Sequence, residues 1–311
     1  MSNSPMYDVI IIGAGPAGLT AGIYALRGGL TTLILESRYP GGRIIEAHKV
    51  ENYPGFPEAL SGFELVQRML TQLEKFGGEI TTNAEVLALS LGDDVKSVST
   101  RRHQYTSKAV IIAFGVKRKK LFIPGEQEYL GKGVSYCATC DGPFFKGKSV
   151  AVIGSGYEAV EEALYLTNLA ELVYLVPNDK EWDAPAALIT RLEEEANVHI
   201  RSGYYIQAIN GTGSVQSITL NTFTDDAQQT LPVSGVFVAV GVVPTTAILK
   251  QAGITVSSQG WIIVDRTQQT NIEGVFAAGD CTGWGFQVAT AVGEGTMAAL
   301  SVSRFLKKRK K

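Results

Sequence analysis

Twice along this chain an apolar run rich in β-branched residues stops at a glycine turn and passes into a helical stretch. The first copy is Tyr7-Asp8-Val9-Ile10-Ile11-Ile12, then Gly13-Ala14-Gly15-Pro16-Ala17-Gly18, then Leu19 to Arg27, and a second strand from Thr31 to Leu35 ends in Glu36. The second copy runs Ser149 to Ile153, Gly154-Ser155-Gly156-Tyr157-Glu158-Ala159, Val160 to Thr167, and a strand from Glu171 to Val176. Strand, turn, helix, strand is the βαβ unit of a parallel sheet. Such strands are covered on both faces, which is why their apolar runs are continuous rather than alternating.

The glycine spacing carries chemistry as well as geometry. Gly13 permits a tight turn, Gly15 lets a pyrophosphate approach the backbone, and Gly18 lets helix and strand pack closely, with Pro16 and Ala17 part of the same cofactor-binding turn. The pyrophosphate then sits at the helix N-terminus, and Glu36 can accept from a ribose hydroxyl. A glycine turn alone is also a common feature of parallel sheets without a ligand. Here strand, helix and acid all fall in place, so the reading is dinucleotide binding.

Three further runs close the units. Lys108 to Gly115 and Gly235 to Gly241 read as strands ending at glycines, and Gly274 to Asp280 as a strand running into Gly279-Asp280, followed by a helix from Gln287 to Leu306. The expectation is an α/β protein of two Rossmann-like, three-layer dinucleotide-binding domains, the second inserted in the first. Residues 1–117 and 244–311 form the discontinuous domain, residues 118–243 the insert, with crossovers near Val116–Arg118 and Val242–Thr245.

Composition removes other classes. Val9 to Leu26 has no charge and roughly the length of a short membrane span, but Gly13 to Gly18 interrupt it and no basic segment precedes it as in a signal peptide. A soluble, cytoplasmic protein is expected. Lys+Arg 28 against Asp+Glu 30 gives a net charge of -2, so neither nucleic acid nor a membrane is an expected partner. Glycine is high, 34 of 311 residues, in keeping with many tight turns.

Between the two nucleotide turns lies Tyr136-Cys137-Ala138-Thr139-Cys140-Asp141. Two intervening residues let both sulfurs meet in a small disulfide ring, and Asp141 can move a proton to or from a thiolate. Two buried structural cysteines are the plain alternative. Zinc needs two more ligands; Cys281 stands alone, and His48, His103 and His199 lack ligand spacing, so no metal is expected.

At this point the chain resembles the low-molecular-weight thioredoxin reductase family over nearly its whole length. The matching words are Gly13-Ala14-Gly15-Pro16-Ala17-Gly18, Val50-Glu51-Asn52-Tyr53-Pro54-Gly55, Tyr136 to Asp141 and Phe276-Ala277-Ala278-Gly279-Asp280. The resemblance implies FAD in the discontinuous domain, a homodimer and a thioredoxin-like protein as partner. It implies that Cys140 faces the flavin, Cys137 exchanges with the partner and Asp141 handles the proton. It also implies that Gly42, Arg43, Asn52, Gly115, Gly279, Asp280, Gln287 and Val288 lie around the flavin and its ribityl-pyrophosphate stem. Arg43 stands where the family usually has Gln. Because a disulfide against the flavin cannot also meet a protein, the insert is expected to turn about the crossovers.

The second turn departs from the family. NADPH-dependent members follow this strand with His-Arg-Arg; this chain has Val176-Pro177-Asn178-Asp179 and no arginine until Arg191. Asp179 would repel a 2′-phosphate, Tyr157 takes a place usually held by a small polar residue, and Val242 one usually held by His. Asp179 offers a ribose acceptor for NADH, but lies beyond Pro177, which is expected to redirect the chain. The loss resembles the family's NADPH-independent branches, in which ferredoxin or a second FAD exchanges electrons. An NAD(P)H-dependent reductase with an altered phosphate site and a flavin-based redox sensor are the alternatives. Trp284 and Phe286 are candidates to cover flavin surface, against ordinary packing. The basic tail Arg304 to Lys311 and Lys117-Arg118-Lys119-Lys120 are solvated ends or docking strips for an acidic partner such as ferredoxin.

Overall fold

A computed structural model describes residues 6–47, 50, 52–92, 94–179, 181–225, 227–243 and 247–309. Strand β1, Met6–Ile12, is buried on both faces because its period of two serves two cores. Val9 and Ile11 join Leu19 and Ile23 of helix α1, Pro16–Arg27. Ile10 and Ile12 face the other way, onto Leu33 and Leu35 of β2, Thr32–Leu35. Each such side chain contributes about 1.5–3 kcal/mol on burial. Helix α1 begins at Pro16, earlier than the expected Leu19: Gly15 is the N-cap, and proline loses nothing in a first turn whose N–H groups have no helical partner.

Helix α2, Gly62–Glu74, opens with a reciprocal capping box. The Glu64 amide donates to Ser61 Oγ at 3.2 Å, and the Ser61 amide donates to Glu64 Oε2 at 2.9 Å. Ser61→Ala is expected to cost about 1 kcal/mol, read as a lower unfolding midpoint with the flavin spectrum unchanged. Strand β3, Gln104–Ile112, starts earlier than expected, in an antiparallel hairpin with Lys96–Thr100, and stops at Ile112 rather than Gly115. Its last rung is the Ala113 amide on Ile12 O. β2 and β3 flank β1 in parallel, with Ile11 opposite both Ile34 and Ile111.

The second unit repeats the syntax. A short helix, α3 (Ala138–Asp141), precedes β4 (Ser149–Ile153), α4 (Tyr157–Thr167), β5 (Leu172–Val176) and β6 (Gly235–Val238). β4 lies between β5 and β6, all parallel. Val150 and Val152 pack toward Val160 and Leu164 of α4; Ala151 and Ile153 join Ile206, Ile218 and Leu231 of an antiparallel three-stranded sheet. The helix starts at Tyr157, three residues before the expected Val160, because Gly156 already serves as its N-cap.

The chain then returns to the first sheet. β7, Val275–Ala277, pairs in parallel with β3, and α5, Val288–Arg309, outruns its expected end at Leu306. Helices α1 and α5 approach closely at Gly295, where a Cβ would lie 2.2 Å from Ala17 O. Two compact units result: residues 1–117 with 244–311, and residues 118–243. Short strands Lys117–Arg118 and Val242–Val243 pair at the boundary. Pro244 and Thr245 of the second crossover, Glu51, His48, Lys310 and Lys311 lie outside the described residues. No helix among the described residues is long and apolar enough to cross a membrane.

Candidate functional site

In the first unit the three motif glycines do three different jobs. Gly13 has φ +107°, and a Cβ there would lie 2.4 Å from Ala113 O. At Gly18 a Cβ would lie 1.9 Å from Gly13 O, so helix and turn meet backbone to backbone. Gly15 has no such neighbour: its nearest would be Gly42 Cα at 3.8 Å. Its bareness leaves room at the head of α1, next to Pro16 and Ala17. Glu36 Oε2 accepts from the Ala14 amide at 2.9 Å, while Oε1 takes the Arg38 amide at 2.9 Å and the Ser37 hydroxyl at 3.0 Å. The acid thus braces the turn as well as facing its mouth.

The return of the chain adds the opposite wall. Gly279 has φ +82° and leads into Asp280, whose Oδ2 pairs with Arg43 Nη2 at 2.6 Å. Asn52 Nδ2 donates to Gln287 Oε1 at 3.2 Å, just before Val288 opens α5. Gly115, at φ +63°, has open space around its Cβ position. Glu294 has no signal in the sequence that marks it out. Its Oε2 accepts from the Gly279 amide at 2.7 Å and from Thr282 Oγ1 at 2.9 Å, holding the Gly279-Asp280 turn. Burial pushes its carboxyl up against those two donors, and Asp280 adds to the rise. Phe286 packs edge-on against Trp261 at 5.6 Å and lies 5.9 Å from the Arg43 guanidinium, whereas Trp284 is exposed. Cys281 is buried packing; burial pushes its thiol up to about 12.

In the second unit Cys137 and Cys140 are joined in a disulfide. Cys137 is the N-cap of α3, and Cys140 lies within its single turn. Ser135 couples this pair to Asp141: its Oγ accepts from the Cys137 amide at 3.1 Å and donates to Asp141 Oδ2 at 2.6 Å. From α4, Glu162 Oε1 accepts from the Ala138 amide at 3.1 Å. Neither residue has a sequence signal beyond being polar in a buried stretch.

The second glycine turn matches the first in backbone. Gly154 has φ +151°, and a Cβ would lie 2.2 Å from Ala239 O, just as Gly13 meets Ala113. Gly156 is open, with only Asp183 O at 3.9 Å. Beyond β5, Asn178 adopts φ +60° and its Oδ1 accepts from the Ile206 amide at 2.8 Å. Pro177 therefore does not carry Asp179 away, contrary to expectation: Asp179 Oδ2 accepts from Ser155 Oγ at 3.4 Å. A carboxylate again stands at the turn, and the Asp183 amide donates to Ser155 O at 2.9 Å where the first unit uses Gly41 on Ala14 O at 2.7 Å.

A family model described as pyridine nucleotide-disulphide oxidoreductase matches residues 7–295. This chain belongs to the pyridine nucleotide-disulphide oxidoreductase family. The thioredoxin reductase of Bacillus subtilis is 39% identical over 308 residues, covering 98% of this chain and 96% of that protein. The thioredoxin reductase structure from Streptococcus pyogenes has a TM-score of 0.92 at 39% identity, over 97% of this chain and 99% of that one. A ferredoxin-flavin thioredoxin reductase structure from Clostridium acetobutylicum matches at 34% identity and TM-score 0.53, over 97% and 99%. Like other members of its family, the protein is a flavin-dependent disulfide oxidoreductase, here of the thioredoxin reductase type. The first turn fits FAD on its own terms. A bare Gly15 at a helix head suits a pyrophosphate, Glu36 suits a ribose, and the Arg43–Asp280 pair and Gln287 supply polar groups on the facing wall.

Proposed function

We propose that this protein moves electron pairs between FAD and the Cys137–Cys140 disulfide, and between that pair and a thioredoxin-like partner, without drawing on NADPH. The observation that carries the reading is the chemistry beyond β5. Asn178 is committed to the Ile206 amide and Asp179 stands against Ser155, where the related NADPH users present arginines to the 2′-phosphate. Each charge-assisted hydrogen bond that an arginine would make to that phosphate is worth about 1.5–3 kcal/mol, and a carboxylate in its place adds repulsion. The electron partner is then a second FAD at the Gly154–Gly156 turn or a ferredoxin; the likeness to the Clostridium protein supports this class.

FAD, when bound, supplies two-electron exchange with the disulfide. Holding it falls to Gly13, Gly15, Pro16, Ala17 and Gly18 at the pyrophosphate, Glu36 at the ribose, and Gly42, Arg43, Asn52, Gly115, Gly279, Asp280, Gln287 and Val288 around the remainder. Cys140 is the sulfur that exchanges electrons with the flavin, Cys137 makes the mixed disulfide with the partner, and Asp141, fixed by Ser135, moves the proton at the sulfur. The working form is a cytoplasmic homodimer.

One observation favours a second reading. Asp179 bears the same relation to its turn as Glu36 does to the first, which suits NADH. Anaerobic titration of the purified holoprotein with NADPH and NADH, after counting flavin per chain, separates them. Neither nucleotide is expected to bleach the flavin band at a catalytic rate. Rapid bleaching by NADH alone establishes the second reading, and rapid bleaching by NADPH overturns the first.

A further inference from the structure

Behind the disulfide lies a buried carboxyl that the proposed chemistry has not used. Glu162 projects from α4 onto α3, and its Oε1 accepts from the amide of Ala138, between the two cysteines, at 3.1 Å. Its Oε2 is shut off from solvent and has no hydrogen-bond partner among the described residues. A carboxylate oxygen in that position is costly when charged and suited to carrying a proton. The charged groups facing it are Glu158 on its own helix, Asp141 on α3 and Arg118 from the short strand at the domain boundary. Two are anionic and one cationic. Burial, with those two anions, pushes Glu162 up to about 7, against the Ala138 amide and Arg118.

We propose that Glu162 is a positioning residue that takes up a proton when the Cys137–Cys140 disulfide is reduced and gives it back on reoxidation. Reduction of the pair alone takes two electrons and one proton, giving one thiol and one thiolate. A thiolate at either cysteine flanks the Ala138 amide that the Glu162 carboxylate accepts from, bringing like charges near each other, so the carboxylate takes up the second proton of the reaction. Disulfide, carboxylate, two electrons and two protons become thiol, thiolate and a neutral Glu162. The electrons come from reduced flavin in turnover, or from a dithiol in the test. By linkage, the added proton makes the reduced state more dependent on pH.

The inference rests on reading Cys137–Cys140 as the redox pair. The test equilibrates wild-type and Glu162→Gln holoprotein with a dithiothreitol redox buffer from pH 6 to 9, and reads the reduced fraction at these cysteines by alkylation and mass spectrometry. Above about pH 7 the wild-type ratio of reduced to oxidised protein is expected to fall up to about tenfold further per pH unit than in the variant. Parallel curves, offset or not, overturn the proposal while leaving the redox pair intact. A disulfide that resists reduction in both proteins sinks the redox reading and this proposal together. Should Glu162→Gln fail to fold, the infrared difference spectrum of wild-type protein, reduced minus oxidised, replaces it. A carboxylic-acid carbonyl band that appears on reduction and shifts with isotope-labelled glutamate supports the proposal; its absence overturns it.

Discussion

Cys140→Ser and Cys137→Ser each reduce turnover of a thioredoxin-like disulfide by on the order of 10⁴-fold or more, since either substitution removes one member of a unit that acts only as a pair. The two variants are nevertheless expected to differ. With Cys140→Ser, the remaining Cys137 thiol attacks the partner and nothing resolves the product, so a mixed disulfide accumulates. With Cys137→Ser, the remaining sulfur is the one assigned to the flavin, and little partner is trapped. Non-reducing electrophoresis reads the difference directly when the partner lacks its resolving cysteine and carries its remaining one as a disulfide with thionitrobenzoate, which the attacking thiol displaces as the leaving group. Trapping through Cys137→Ser instead would exchange the two roles. The third cysteine does not confuse the result: Cys281 is buried and its thiol is pushed up to about 12, leaving almost no thiolate at neutral pH.

Gly18→Ala and Gly15→Ala, three residues apart in one motif, are expected to fail in different ways. At Gly18 the new Cβ would lie 1.9 Å from Gly13 O, a collision of backbone with backbone that no rotamer relieves. A loss of about 3 kcal/mol or more is expected, read as poor recovery and a strongly lowered unfolding midpoint. At Gly15 the new methyl meets nothing nearer than Gly42 Cα at 3.8 Å, and φ is an ordinary −76°. The apoprotein should therefore fold with near-normal stability, yet retain little flavin, because the methyl stands where the pyrophosphate must approach. Flavin content by absorbance and stability by calorimetry separate the cases. Equal flavin loss with equal destabilisation would mean that Gly15 serves packing rather than the ligand.

The parallel strands, their glycine turns and the cysteine pair are legible in the sequence because each is a local signal. A β-branched run, a glycine at a fixed offset and two cysteines separated by two residues all act through neighbours in the chain. Expectation and structure part where distance in sequence takes over. Pro177 reads as a residue that redirects the chain, but Asn178 at φ +60° turns it back, held by an amide from Ile206 that no local rule anticipates. Gly295 sits at its place because Ala17 O lies against it from the other end of the chain. Glu294 and Glu162 owe their roles to amides supplied by other elements, at Gly279 and Ala138. Strand ends shift for a related reason: a ladder stops where its partner's last rung stops, as β3 does at Ile112.

The order in which the chain emerges from the ribosome gives the split first unit a further meaning. β1, α1 and the Gly13–Gly18 turn are made before the insert, yet α1 packs on α5 through Ala17 and Gly295, and β7 lies beside β3. Those partners are synthesised only after the insert. The insert, residues 118–243, is by contrast continuous and can close its own sheet while the N-terminal strands still wait. During synthesis α1, which covers Val9 and Ile11 of β1 through Leu19 and Ile23, thus spends its early life without the helix that packs on its own outer side at Ala17. The disulfide unit can be finished before the cradle that precedes it in the gene.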